Sequence, residues 1–157
     1  MKEVSRRQEK EYEERVIEIN RVSRTVKGGR RIRFRALVVV GDRKGKVGLG
    51  VGKSTEVANS IAKATSQAKK RMVKIPISKE GSVLHDVKAT YGATTVMMKP
   101  AKEGASVIAG GTVRAVVEAL GLKNVVAKSI GSTNKINNAK AAILALGKTV
   151  AAANRAE

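Results

Sequence analysis

Gly48 to Thr55 reads GLGVGKST and invites comparison with a nucleotide-phosphate loop. Such a loop cradles phosphates in backbone N–H groups, and it needs four residues between its first glycine and the Gly-Lys-Ser/Thr. Counting back from Gly52, that place is held by Val47, and Gly48 leaves only three residues between. The spacing therefore favours strand glycines ahead of a helix, with a weaker anion contact left open for Lys53 and the first helical amides. Gly110-Gly111, after Ile108-Ala109, offers a second choice: an anion site or, preferably, room for close helix–strand packing. Acid–base chemistry has little to draw on. His85 is the only histidine, its neighbour Asp86 points the other way in an extended segment, and there is no cysteine. No cluster supplies a nucleophile, a base pair or a metal set, so no catalytic residue, metal or cofactor is expected and an enzyme is disfavoured.

The residues with the clearest chemistry are cations. Arg21, Arg24, Lys27, Arg30, Arg31, Arg33 and Arg35 fall within fifteen residues that contain no acid. Arg31, Arg33 and Arg35 alternate with Ile32, Phe34 and Ala36, which in a strand gives one cationic and one apolar face. The apolar face calls for a core beneath it, and the cationic face for a partner above it. Gly28 and Gly29 stand inside the run as a turn signal, since paired glycines accept positive φ. These nine residues, with Lys53, are the candidate RNA-binding set.

The whole chain agrees with that reading. Its 157 residues carry a net charge of +19. Residues 1–18 hold six acids and five bases, so the excess resides in the remainder, with seven acids against 27 bases. A body so charged repels itself and expects a polyanion. Aromatics are 2% of the chain, which argues against base stacking and for contact with phosphates and helix shape. No apolar run reaches the ~18 residues of a membrane span, and MKEVSRRQEKEYEE lacks the apolar core of a signal peptide, so no membrane partner is expected.

The elements that must position the cations follow from periodicity. Residues 1–15 read as a charged arm or short helix. Residues 16–26, Arg31–Val40 and Lys46–Lys53 read as three strands, the last with Gly48, Gly50 and Gly52 on one bare face open to close approach. Ser54 or Thr55 is the expected cap of a helix whose stripe is Val57, Ile61, Ala64, Ala68 and Met72. Met72–Ile77 is a short extended piece, placed at an edge or exit by Pro76. After SKEGS (78–82) come strands at Val83–Tyr91 and Thr94–Lys99, then a loop over Pro100–Gly111. A helix capped by Thr112 and stopped by Gly121 follows, then a strand at Asn124–Ile130 and a last helix with Ile136, Ala139, Ile143, Leu146 and Val150 inward. The expected class is α+β: an RNA-binding-like unit at 16–77, a second α/β unit at 78–150, and a frayed tail at 151–157.

NRVSRTVKGGRRIRFRALVVVGD, VGLGVGKSTEV, KPAKEGASVIAGGTVRAVVEALG and NVVAKSIGSTNKIN, in that order, closely resemble the fifth-protein family of the bacterial small ribosomal subunit. The likeness runs from about Val16 to Leu146. It implies a first domain like a double-stranded RNA-binding domain (α-β-β-β-α). It implies a second of β-α-β-α type with a left-handed crossover, where right-handed is the physical default. It further implies binding to small-subunit rRNA, subunit assembly, decoding accuracy, contact with mRNA at the entry channel, and a ribosomal, cytoplasmic location. Val26 to Arg30 match the family's loop that reaches towards the head of the subunit. Arg114 matches a contact with the fourth small-subunit protein, and the eighth is the other implied neighbour. Ser106 belongs to that same interface, where Gly104-Ala105-Ser106 stands in place of the family's usual Gly-Thr-Gly. Arg33 and Arg35 replace positions that are often small or hydroxylated, so their RNA contact is inferred from the cationic pattern alone. A free duplex-RNA chaperone and a nucleotide-dependent enzyme are the alternative readings.

Overall fold

The computed structural model describes residues 12–153. Alternating apolar and charged residues form strand β1 (Glu13–Val26), which turns through Lys27-Gly28 into β2 (Gly29–Gly41). β1 begins three residues earlier than its sequence signature, so Glu13, Glu14 and Arg15 are strand and not arm. The expected arm or leading helix otherwise falls on residues 1–11, outside the described residues. The apolar run of β2 lies between β1 and β3 (Lys46–Ser54), and β4 (Val73–Lys74) closes the antiparallel order β1-β2-β3-β4. The extended piece around Val73 is thus a short edge strand, as Pro76 signals.

Helix α1 (Val57–Lys70) lies on the bare face of β3. A Cβ built on Gly48, Gly50 or Gly52 would stand 2.2, 1.8 or 2.3 Å from the carbonyl oxygens of Ala68, Ala64 and Ser60. Backbone meets backbone there, which leaves volume only for small side chains. Hence Ser60, Ala64, Thr65 and Ala68 are the buried residues of α1, while Val57 of the expected stripe is 37% exposed. Neither Ser54 nor Thr55 caps the helix. Glu56 holds the N-cap position without a side-chain cap bond, and its carboxylate instead accepts from Asn59 Nδ2 at 2.9 Å.

The second sheet has order β5-β6-β8-β7, built from β5 (Val87–Tyr91), β6 (Thr94–Pro100), β7 (Val107–Ile108) and β8 (Val125–Gly131). β7 lies inside the stretch expected as loop; it pairs parallel with β8, the other pairings being antiparallel. Helices α2 (Gly111–Leu120) and α3 (Lys135–Ala153) bring Val113, Val116, Val117, Leu120, Ala139, Ala142 and Leu146 into one buried cluster with the sheet. Gly110, not Thr112, is the N-cap of α2, and Gly121 (φ +102°) stops the helix as its sequence indicates. The side chain of Asn134 caps α3, accepting from the N–H of Ile136 at 3.0 Å and of Asn137 at 3.3 Å.

The two sheets share that core, since Val39, Val47 and Ile75 belong to the same cluster as α2. Backbone bonds reinforce the junction: the N–H groups of Arg43 and Gly45, in the β2–β3 turn, donate to the carbonyls of Ala119 (3.1 Å) and Leu120 (3.0 Å) at the end of α2. The C-terminal carbonyls of a helix need such donors, and here another part of the fold supplies them.

Candidate nucleic-acid interface

β3 ends at Ser54, opposite Phe34. Beyond that point β1 and β2 continue as a two-stranded hairpin, with no other strand or helix among the described residues packed on either side. Opposed residues of an antiparallel pair share a face. The register sets Arg24 against Arg31, Val22 against Arg33, and Asn20, on the other side of β2 from Lys53, against Arg35. One face therefore gathers Arg24, Arg31, Arg33, Arg35 and Lys53. A groove of about 440 Å³ runs along it, lined by Val22, Arg24, Val26, Arg31, Arg33 and Lys53.

The opposite face is the expected apolar one only at its inner end, where Ala36 is fully buried with Ala64 and Ala68 of α1. Arg21 stands beside Phe34 and Arg30 beside Thr25, and Ile32 between them is 40% exposed. No core lies beneath it, because α1 covers the sheet only where β3 is present. The tip is Lys27-Gly28, and positive φ falls on Gly28 (+88°) but not on Gly29. A side chain at Gly28 costs ~1–2 kcal/mol in that conformation, and both positions are otherwise open space. Gly28→Ala should therefore change amide shifts and hydrogen exchange near the tip, since a free-standing hairpin can open locally. Gly29→Ala should change neither, and the unfolding midpoint should hold for both. A large fall in midpoint for Gly28→Ala would mean that the tip supports the core.

The electrostatics of the hairpin are unbalanced. Arg24↔Arg31 and Arg35↔Lys53 are like charges directly opposed, an arrangement that costs stability in a free sheet. None of the eight candidate cations forms an ion pair among the described residues. Arg35 alone has a side-chain partner there, donating to Asn20 Oδ1 at 3.3 Å. The acids of β1 sit at the other end of the strand and are already engaged: Glu13 with Arg43, Glu14 with Lys69, Glu18 with Lys135.

Arg114 and Ser106 lie apart from the hairpin and from each other's partners. Arg114, on α2, donates to Glu118 at 2.7 Å, and Glu118 also pairs with Arg15 of β1. Those two hydrogen bonds, Arg114 first, hold the Glu118 carboxyl below its ordinary value of 4.5. A depressed carboxyl contributes stability above its unfolded pKa and loses it as pH falls through the folded one. Unfolding titrated below about pH 4.5 should therefore show a steeper acid loss for the native chain than for Glu118→Gln. Equal acid slopes would remove this cluster from the account of the junction. Ser106 is exposed at φ +59°, and its N–H and that of Gly104 donate to Oδ1 of buried Asn124. Asn124 gives no signal in the sequence; its role depends on two loops that only the fold brings together.

The other candidates resolve differently. Gly48, Gly50 and Gly52 lie in strand against α1, so the GLGVGKST segment forms no phosphate-cradling loop. Lys53 faces away from the side that α1 covers, which separates it from the helical amides. Nothing lies within 4 Å of a Cβ on Gly110 or Gly111, so close packing does not account for that pair. His85 is exposed, and no three metal-ligating side chains converge among the described residues.

Two family models match the chain: Ribosomal protein S5, N-terminal domain, over residues 12–76, and Ribosomal protein S5, C-terminal domain, over residues 89–157. The chain is 48% identical over 142 residues to the small ribosomal subunit protein uS5 of Trichormus variabilis, covering 90% of this chain and 82% of that protein. It is 49% identical over 143 residues to the small ribosomal subunit protein uS5c of Phaeodactylum tricornutum, covering 91% and 81%. With two α+β units in the matching order, the chain belongs to the ribosomal protein S5 family, non-enzymatic structural proteins of the small ribosomal subunit that act in translation.

Proposed function

We propose that this protein binds small-subunit rRNA through its β1–β2 hairpin and there fixes RNA segments during subunit assembly. One observation carries the reading: seven cations along the β1–β2 hairpin, two of them directly opposed, without an acidic partner among the described residues. Phosphates supply the missing counter-charge. Each contact releases condensed counterions, so affinity comes with a salt dependence. Arg24, Arg31, Arg33 and Lys53 hold one backbone along the groove, and Arg21 and Arg30 meet RNA from the other face. Lys27, Gly28 and Gly29 form the tip, which on family resemblance reaches towards the subunit head.

The finer parts of this reading rest on the resemblance. They are a share in decoding accuracy, a place on the wall of the mRNA entry channel, and the fourth and eighth small-subunit proteins as neighbours, with Arg114 and Ser106 at the fourth-protein contact. They also include a bacterial cytoplasmic ribosome as location, a double-stranded-RNA-binding-like first unit at 16–77, and a second unit at 78–150 with left-handed passage from β7 through α2 to β8.

The test is the affinity of the full chain for purified small-subunit rRNA across a salt series. Arg30→Glu with Arg31→Glu should weaken binding and lower the log–log slope by about 1.4–1.8, at roughly 0.7–0.9 per lost phosphate contact. An unchanged slope would remove the hairpin from the interface. Co-sedimentation with small subunits at moderate salt separates a resident protein from a free chaperone.

A further inference from the structure

β3 carries cations at both ends, and the hairpin uses only one of them. Lys53 stands opposite Arg35 at the distal end, while Lys46, seven residues away, stands opposite Lys74 of β4. At about 3.3 Å per residue the two ends are some 23 Å apart, and the residues between, Val47 to Gly52, are uncharged. Lys46↔Lys74 is another directly opposed like-charge pair, and both residues are exposed.

Between those ends the outer edge of β3 is open, because β4 pairs no further than Val47. Gln67 of α1 reaches that edge and accepts the N–H of Val51 through Oε1 at 2.7 Å. Residues three and four apart on a helix share a face, so Lys63 and Lys70 flank Gln67 along the same edge, both exposed. The N–H groups of Leu49 and Lys53, two residues either side of Val51, point to this edge as well, without a strand partner. The nearest acids are engaged elsewhere: Asp42 accepts the backbone N–H groups of Lys44 and Lys46 through Oδ1, at 2.7 and 2.9 Å, and Glu56 is turned to Asn59 at the start of α1. None of Lys46, Lys63, Lys70 or Lys74 forms an ion pair among the described residues. A lysine or two would guard an open edge against strand pairing; four, one pair directly opposed, make a track of positive charge and free amide donors.

We infer that this β3 edge, with Lys46, Lys63, Lys70 and Lys74, is a second RNA-phosphate-binding surface, which adjoins the hairpin face at Lys53 and runs away from it. It rests on the rRNA-binding reading and extends it: Lys63 stands beside Gly52, next to Lys53 of the hairpin, and the surface runs from there to the Lys46–Lys74 pair some 23 Å away. The edge offers no aromatic residue and no apolar pocket, so it reads the backbone and not the bases.

The test uses the full chain and purified small-subunit rRNA. Lys70→Gln with Lys74→Gln should lower the log–log salt slope by about 1.4–1.8, and the charge-retaining Lys70→Arg with Lys74→Arg should restore it. The loss should add to that of Arg30→Glu with Arg31→Glu, as expected of sites well beyond 10 Å. If the edge variant keeps the native slope while the hairpin variant loses it, the inference is overturned and the hairpin reading stands. If neither variant moves the slope, both fall. If the edge variant loses binding only to an acidic polypeptide such as polyglutamate, the edge is a protein contact and the inference is overturned.

Discussion

Gly50→Ala should destabilise the folded chain by about 3 kcal/mol, the upper end of what overpacking costs. The added methyl group would stand 1.8 Å from the carbonyl oxygen of Ala64 and 2.8 Å from the amide nitrogen of Ala68. Both are backbone atoms, so no rotamer change relieves the clash and α1 itself must lift. Lifting it opens the contact of Ala64 and Ala68 with Ala36, Val38 and Val40, which are all fully buried. For a chain of this size the unfolding midpoint should fall by roughly 6–12 °C. Gly111→Ala is the control, because its Cβ meets nothing within 4 Å and the residue lies in the first turn of α2. That substitution should leave the midpoint unchanged or raise it slightly. Equal midpoints for the native chain and Gly50→Ala would mean that α1 does not seat on the glycine trough.

Asn124→Ala should cost about 2–4 kcal/mol and loosen two loops together. The Asn124 amide nitrogen donates to the carbonyl of Glu80 at 2.8 Å, while its oxygen accepts from Gly104 and Ser106 at 3.2 and 3.3 Å. Alanine leaves these three backbone groups without their partner, and a buried unmet polar group loses its full hydration energy. Asn124→Asp separates the contributions, since it keeps both acceptor bonds and loses the donor to Glu80. Its stability should fall between native and Asn124→Ala, and proteolysis near Glu80 should rise more than near Lys102. If Asn124→Ala matched the native protein in both stability and proteolysis, water would be meeting these groups equally well.

Much of this molecule is legible along the chain, because its signals are local. The Lys27-Gly28-Gly29 turn, the central β2 run, the bare face of β3 and the Gly121 stop are each specified by neighbouring residues. Two kinds of feature are not. A two-residue strand such as β7 has too few residues to show a period, and its existence depends on β8 lying alongside. The apolar face predicted at Ile32 follows correctly from alternation, yet alternation says nothing of how far a neighbouring strand extends. β3 stops at Ser54, and among the described residues no strand or helix covers the hairpin beyond it.

The candidate site divides in the same way. Its members along β1 and β2 are readable from one charge run, whereas Lys46, Lys63, Lys70 and Lys74 come from three separate elements and join only through register and helix packing.

By itself the sequence determined an α+β chain with a cationic hairpin, no catalytic inventory and the signature of its family, since composition, period and turn chemistry act over a few residues. Only the tertiary structure decided which charges oppose one another, that the β2–β3 turn caps α2, and that Asn124 ties two distant loops. Those outcomes require groups far apart in the chain to approach within hydrogen-bonding distance, and no local pattern encodes that approach.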